Sequence, residues 1–297
     1  MNPLLEIKEV TVERPAGPGE QRIGLRRVSL VLSSGEIVVL AGESGSGKSL
    51  LARLIAGVAG PKVKRLAGTI EMAGRDLFGL TPREWRKMRC GPIAVVAADP
   101  AVQFPPDGTV RQWLRDGIRR GGRAAELREE KEWSDYFYRV GLMEPERILP
   151  QSPGDLSPLT VKRLLVMRAM MVGARLLLCD EPTAGLDGIA ANRFLELLGR
   201  LREETGMGLL LSTGSLRGVE NYADQVVLLY DGAILESGSP DHLLREPRFA
   251  YTREFRACDS RLGDLSCDLP VISRRAVRDA EEAIHEKTSS RGAETTG

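Results

Sequence analysis

The chain has 297 residues with 42% hydrophobic content, and its 42 Lys plus Arg nearly balance 41 Asp plus Glu to leave a formal net charge of +1. That length supports one large domain or two with a sizeable core, while the balanced charge argues against a polyanion-binding surface, so no nucleic-acid partner is expected. No run reaches the roughly 18 uncharged apolar residues of a membrane span, because the longest candidate, Leu164 to Cys179, is cut by Arg168 and Arg175.

The start, Met1-Asn2-Pro3-Leu4-Leu5-Glu6, has no basic region followed by an apolar run, so a cytosolic chain is expected. Leu5 to Val12 and Val28 to Leu32 read as strands, divided by the turn-rich Pro15-Ala16-Gly17-Pro18-Gly19. The apolar run Ile37-Val38-Val39-Leu40-Ala41, a glycine-rich loop and Leu50 to Ala56 then read strand, loop, helix. From about Asp99 to Pro158 the sequence is charged and helix-prone, as an inserted helical lobe would be. Its Trp113, Trp133 and Tyr136 are expected to pack that lobe, and Arg115, Arg119, Arg120, Arg123 and Arg128 to form a solvated helix face.

Leu176 to Cys179, Leu209 to Leu211 and Val226 to Leu229 follow, alternating with helical segments as buried parallel strands with crossover helices do. The fold class is α/β. After about Glu246 order is expected to fade, and Thr288 to Gly297 to form a frayed tail. The scattered Cys90, Cys179, Cys258 and Cys267 are expected to be reduced thiols.

Chemistry concentrates in Gly42-Glu43-Ser44-Gly45-Ser46-Gly47-Lys48-Ser49, which fits the phosphate-loop pattern between a strand and a helix. Glycines let successive N–H groups turn toward phosphate oxygens, and the following helix adds its positive dipole end. Lys48 is expected on the β- and γ-phosphates, and Ser49 on Mg2+. At Leu176-Leu177-Leu178-Cys179-Asp180-Glu181-Pro182 an apolar strand delivers two carboxylates at its carboxyl end, the ligand edge of an open α/β sheet. Asp180 is read as a Mg2+ ligand and Glu181 as general base for an attacking water.

With Asp180-Glu181-Pro182-Thr183-Ala184-Gly185-Leu186-Asp187 on the page, the chain resembles the ATP-binding subunits of ABC transporters, whose Walker B strand and D-loop read alike. The resemblance runs from about residue 4 to 256. The phosphate loop and Tyr251-Thr252-Arg253 look most like the oligopeptide, dipeptide and nickel importer branch. It implies an ABC-type P-loop ATPase with a RecA-like core, an N-terminal antiparallel β subdomain and an inserted helical subdomain. Residues 1–246 would form the ATP-binding domain, its helical subdomain at about 99–170, and 247–297 a C-terminal extension. ATP and Mg2+ are the implied cofactors, with Gly42 to Leu50 and Arg14 at the nucleotide, and Ser157 and Asp187 as signature and D-loop residues. Two such subunits sandwich two ATP molecules, and the helical lobe grips a transmembrane permease at the inner face of the membrane.

Several positions depart from the family pattern. Arg14 stands where the family has an aromatic residue on adenine, and its planar guanidinium can still stack. Ala98 replaces a Mg2+-sensing glutamine, and Gly214 replaces the switch histidine. The signature glycines are Pro158 and Leu159, so one backbone N–H is lost and bulk is added; Ser157 as N-cap with Pro158 at the first helical position reads as a good helix start. His242 and His285 are read as surface residues, and Cys258 with Cys267 are too few for an iron–sulfur cluster, so none is expected. Loss of a positioned catalytic group costs about 10² to 10⁴ in rate, so slow or partner-dependent hydrolysis is expected, in a pair with a different ATP-binding chain. The alternative is a pseudoenzyme that holds ATP as a structural or regulatory ligand.

Overall fold

A computed structural model describes residues 3–17, 19–105, 107–218, 221–260 and 280. In chain order the strands are β1 (Leu5–Gly17), β2 (Glu20–Leu32), β3 (Ile37–Ala41), β4 (Lys64–Met72), β5 (Arg75–Asp76), β6 (Ile93–Val96), β7 (Leu176–Asp180), β8 (Gly208–Thr213), β9 (Gln225–Tyr230) and β10 (Ala233–Gly238). The helices are α1 (Lys48–Ile55), α2 (Pro82–Arg89), α3 (Val110–Arg120), α4 (Ser134–Arg139), α5 (Pro145–Ile148), α6 (Pro158–Met171), α7 (Gly188–Thr205), α8 (Pro240–Arg245) and α9 (Ala250–Ser260). The chain forms two compact units, one of 1–79 with 210–297 and one of 80–209.

In the first unit an antiparallel sheet runs in the order β2-β1-β4-β5. Buried residues on β1 fall at Leu5 and Ile7 and then at Val10 and Val12, so the two-residue period slips once. The slip is a β-bulge, with Ile7 opposite Leu30 and Val10 opposite Val28; the extra residue keeps the same face apolar on both sides of it. Gly68 lies across the bulge at φ +80, where a Cβ would collide with the backbone carbonyls of Lys8 and Glu9. The β1–β2 hairpin extends through Pro15 to Gly17, well past the expected strand end. Pairing of β1 with β4 reaches only Glu13, so Pro15 sits in a two-stranded ribbon where its missing N–H leaves no gap on the β4 side.

β3 is buried at every residue and pairs in parallel with β9, which pairs antiparallel with β10. A strand covered on both faces has no polar side to alternate, hence the uninterrupted Ile-Val-Val-Leu-Ala run. Beyond Glu246 the expectation of fading order is corrected: α9 forms because Tyr251, Thr252 and Phe255 are all buried. Thr288 to Gly297, His285 and Cys267 lie outside the described residues.

In the second unit β6 and β7 pair in parallel, Ile93 opposite Leu176 and Val96 opposite Cys179. The described residues between 99 and 170 contain α3, α4, α5 and most of α6, joined by turns and short 3-10 segments, and no strand. Trp113 is buried, stacks on Phe104 at 4.3 Å between centroids, and carries the Arg168 guanidinium 4.5 Å over its ring. Trp133 is also buried and donates its indole N–H to Leu127 O at 3.1 Å. Aromatic rings therefore fill this lobe and leave no stacking platform on those indoles. The nearby arginines meet acids instead, Arg111 and Arg115 at Glu130, Arg119 and Arg120 at Asp116, and Arg123 at Glu126; each exposed pair of this kind is worth about 0–1 kcal/mol.

Candidate functional site

In the first unit, β3 ends at Ala41 and α1 begins at Lys48, so residues 42–47 form the connecting loop. Gly42 (φ +143) takes a backbone conformation open to glycine, and a Cβ there would strike the Leu229 carbonyl and the Ser46 side chain. Gly47 (φ +112) is the N-cap of α1 and makes no side-chain cap hydrogen bond, so the first amides of α1 have no side-chain acceptor at the cap. Lys48 is 5% exposed and donates from Nζ to Gly42 O at 2.6 Å and Glu43 O at 2.9 Å. The ammonium is thus folded onto the loop it follows.

Beside this loop is a cavity of about 350 Å³ lined by Arg14, Arg22, Glu43, Ser44, Gly45, Ser46, Tyr230 and neighbouring glycine backbone. Ser46 lines this cavity, and its Oγ is buried with no hydrogen-bond partner, a polar atom left unsatisfied by the protein. With the helix N-terminus, the glycine-bent backbone and a lysine, that orphan fits a phosphate chain. Arg14 lies along Gly24, where a Cβ would come within 3.1 Å of its Cδ and 2.6 Å of Leu50 Cδ2. Among the residues expected at a nucleotide, Arg14 and Glu43 to Ser46 line the cavity, while Gly42, Gly47, Lys48, Ser49 and Leu50 belong to the same strand, loop and helix.

Tyr251 joins them from α9. Its hydroxyl donates to Glu43 Oε2 at 3.0 Å, and its ring meets Tyr230 edge-on at 4.9 Å. Sequence reasoning noted Tyr251 only as part of a family-like triplet, because a contact across 208 positions leaves no local pattern.

The second unit holds the acidic segment. Leu176 to Cys179 are buried, and β7 ends at Asp180. Glu181 follows at φ +47, a left-handed conformation unfavourable for a residue with a Cβ. The turn is tied by Ala184 N to Glu181 O at 3.0 Å and by a cation that the sequence did not single out. Lys162 on α6 is fully buried and donates from Nζ to Pro182 O at 2.8 Å, with Glu181 O at 3.4 Å. Burial pushes its ammonium below the usual lysine range, against the opposing pull of Cys179 and Glu181. Burial likewise pushes the Cys179 thiol up to about 12, keeping it protonated and inert. Asp187 caps α7, its Oδ1 accepting from Ala190 N at 2.8 Å.

Ser157 caps α6, its Oγ accepting from Thr160 N at 3.2 Å, and Pro158 occupies the first turn. Ala98 follows β6, and a different glutamine serves that segment: Gln103 accepts from Ala97 N and donates to Val95 O, both at 2.8 Å. His242 is half-buried rather than on the open surface, with Nε2 3.7 Å from Glu236. Cys258 is disulfide-bonded, which corrects the expectation of a reduced thiol there; Cys90 and Cys179 are free. Among the described residues no helix is long and apolar enough to cross a membrane.

The family model for ABC transporters matches residues 25–184. The chain is 32% identical over 260 residues to the peptidoglycan transport ATP-binding protein YejF of Agrobacterium fabrum, covering 86% of this chain and 47% of that protein. It is 34% identical over 271 residues to a putative peptide import ATP-binding protein of Brucella ovis, covering 88% and 79%. The chain thus spans about half the length of the first of these relatives. Among solved structures, cbiO1 from Clostridium perfringens, part of the ABC transporter complex cbiONQ, shares the fold at TM-score 0.69 and 23% identity, over 83% of this chain and 92% of that one. By its family match, its relatives and its fold, the chain belongs to the ABC transporter ATP-binding proteins, on the branch of those named for peptide transport.

Proposed function

We propose that the chain is the ATP-binding subunit of a peptide- or nickel-importing ABC transporter, and that it couples binding and hydrolysis of Mg-ATP to translocation through separate permease subunits. The observation that carries this reading is the orphaned Ser46 Oγ in a cavity beside the glycine-bent loop and the buried Lys48. Loop amides and Ser46 bind the phosphates, and Lys48 exchanges the carbonyls of Gly42 and Glu43 for the β- and γ-phosphate oxygens. Arg14 stacks its guanidinium on adenine. Mg2+, held by Ser49 and by Asp180, would neutralise charge developing on the transferred phosphoryl group. Glu181 accepts the proton of the attacking water.

A peptide cargo is supported by the name of the Brucella ovis relative, and nickel rests on the resemblance of the motifs alone. The partner is a second, different ATP-binding chain carrying the residues replaced here by Ala98, Pro158, Leu159 and Gly214. Ser157 and Asp187 face that partner's nucleotide, and the permease holds the pair at the inner face of the cell membrane.

A second reading, a subunit that holds ATP without hydrolysing it, is favoured by Ala98 and Gly214, neither of whose side chains can hold a metal or a water in this chain's own site. Single-turnover phosphate release from the natively co-purified complex separates the two. In the first reading Glu181→Gln in this chain alone lowers the rate by about 10² to 10⁴. An unchanged rate with ATP still bound assigns the chemistry to the other subunit.

A further inference from the structure

The phosphate loop contains an acid, which is the wrong charge for a triphosphate. Glu43 lines the cavity from the exposed side of the loop, and like charges a few ångströms apart repel. Its backbone carbonyl is already used by Lys48, at 2.9 Å, so displacement of this residue also disturbs the lysine. Its side chain, however, is held from outside the loop by the Tyr251 hydroxyl at 3.0 Å.

Tyr251 is well placed to hold it. The residue is 1% exposed, with its ring edge-on to Tyr230 and stacked on Phe255 at 5.9 Å. Burial, and then the Glu43 carboxylate itself, push the phenol well above the usual tyrosine range, so the hydroxyl remains the donor. The neighbouring residue anchors α9 to the sheet: Thr252 Oγ1 donates to Glu236 Oε2 at 2.6 Å, and Arg248 N donates to Glu236 Oε1 at 2.9 Å, with that carboxylate 4% exposed. One helix therefore has one residue fixed to the phosphate loop and the next fixed to β10.

We infer that Tyr251 is a positioning residue for nucleotide binding, its hydroxyl holding the Glu43 carboxylate toward α9 and out of the path of the nucleotide phosphates. This gives the C-terminal helix a function in the site, and it rests on the reading of residues 42–49 as a nucleotide site.

The test is a double-mutant cycle on Mg-ATP affinity, measured calorimetrically with the full chain, using Tyr251→Phe, Glu43→Ala and the pair. Phenylalanine keeps the ring packing against Tyr230 and Phe255 and deletes only the donor. In the wild-type background Tyr251→Phe should weaken binding about tenfold, the scale of one hydrogen bond to a charged group. In the Glu43→Ala background the same change should cost less than about twofold, since no carboxylate remains to be held. In steady state, Tyr251→Phe should raise KM and leave kcat in place. A purely structural role would instead cost the same in both backgrounds and overturn the inference, as would wild-type affinity in Tyr251→Phe. Failure of the wild-type chain to bind Mg-ATP at all would overturn the reading of the site, and this inference with it.

Discussion

Two helix starts in this molecule are capped in opposite ways. α1 begins after Gly47, which offers no side-chain acceptor, beside a cavity lined by Ser46, whose buried hydroxyl has no hydrogen-bond partner. α6 begins after Ser157, whose hydroxyl accepts from Thr160 N, and fills its first turn with Pro158, which has no N–H. A helix N-terminus attracts an anion only when its donors are left open. At α1 no side chain sits at the cap, and the loop that leads into it lines the cavity. At the second, Ser157 takes up one donor and Pro158 supplies none, which makes a stable helix start.

That contrast can be broken from either side. The largest effect is expected at Lys48→Ala, which removes the cation of the open site; Mg-ATP affinity should fall about 10²-fold or more by calorimetry, the scale of a lost charge-assisted contact. Next is Lys162→Met, which strands the Pro182 and Glu181 carbonyls in a buried place and should destabilise the fold by about 1–3 kcal/mol in urea titrations. The pH dependence carries the sign of the lysine's displacement. Its folded value lies below 10.5, so over that interval the unfolded chain binds more protons than the folded one. Wild-type stability should therefore rise relative to Lys162→Met as pH is raised from neutrality toward 10 or so, and a flat difference would contradict the buried charge.

Reopening the closed helix start is expected to give a smaller gain. Pro158→Gly with Leu159→Gly restores an N–H and removes bulk, and should raise single-turnover phosphate release from the co-purified complex by about tenfold, the scale of one recovered contact to a charged group. The smallest change is Ser157→Ala, which removes the cap and should cost about 1 kcal/mol of stability by chemical denaturation.

The readable parts of the molecule were local ones. The β3 strand, the loop from Gly42 to Gly47 and the start of α1 follow within a dozen residues from an apolar run, glycines and a lysine, and they form as the spacing indicates. The capped start of α6 at Ser157 and Pro158 was legible for the same reason, since side chain and amide are three residues apart. The two strands of the first hairpin were legible, although the turn-rich Pro15 to Gly19 hid how far they continue, and their bulge between Ile7 and Val10 went unread. Tyr251 and α9 were not legible. A short stretch after Glu246 carries too little apolar periodicity to declare a helix, and it becomes one because Tyr251 and Phe255 are buried.

By itself, then, the sequence determined the chemical kind of this protein: a phosphate loop, an acidic strand end and the family to which both belong. Backbone conformation over a few residues depends on their own side chains, and glycine, proline and a capping serine act at that range. Tertiary structure alone decided which distant groups steady those motifs, Tyr251 on Glu43 across 208 positions and Lys162 on the carbonyl of Pro182 across 20. Such contacts exist only once the elements bearing them have packed, and no spacing along the chain encodes them.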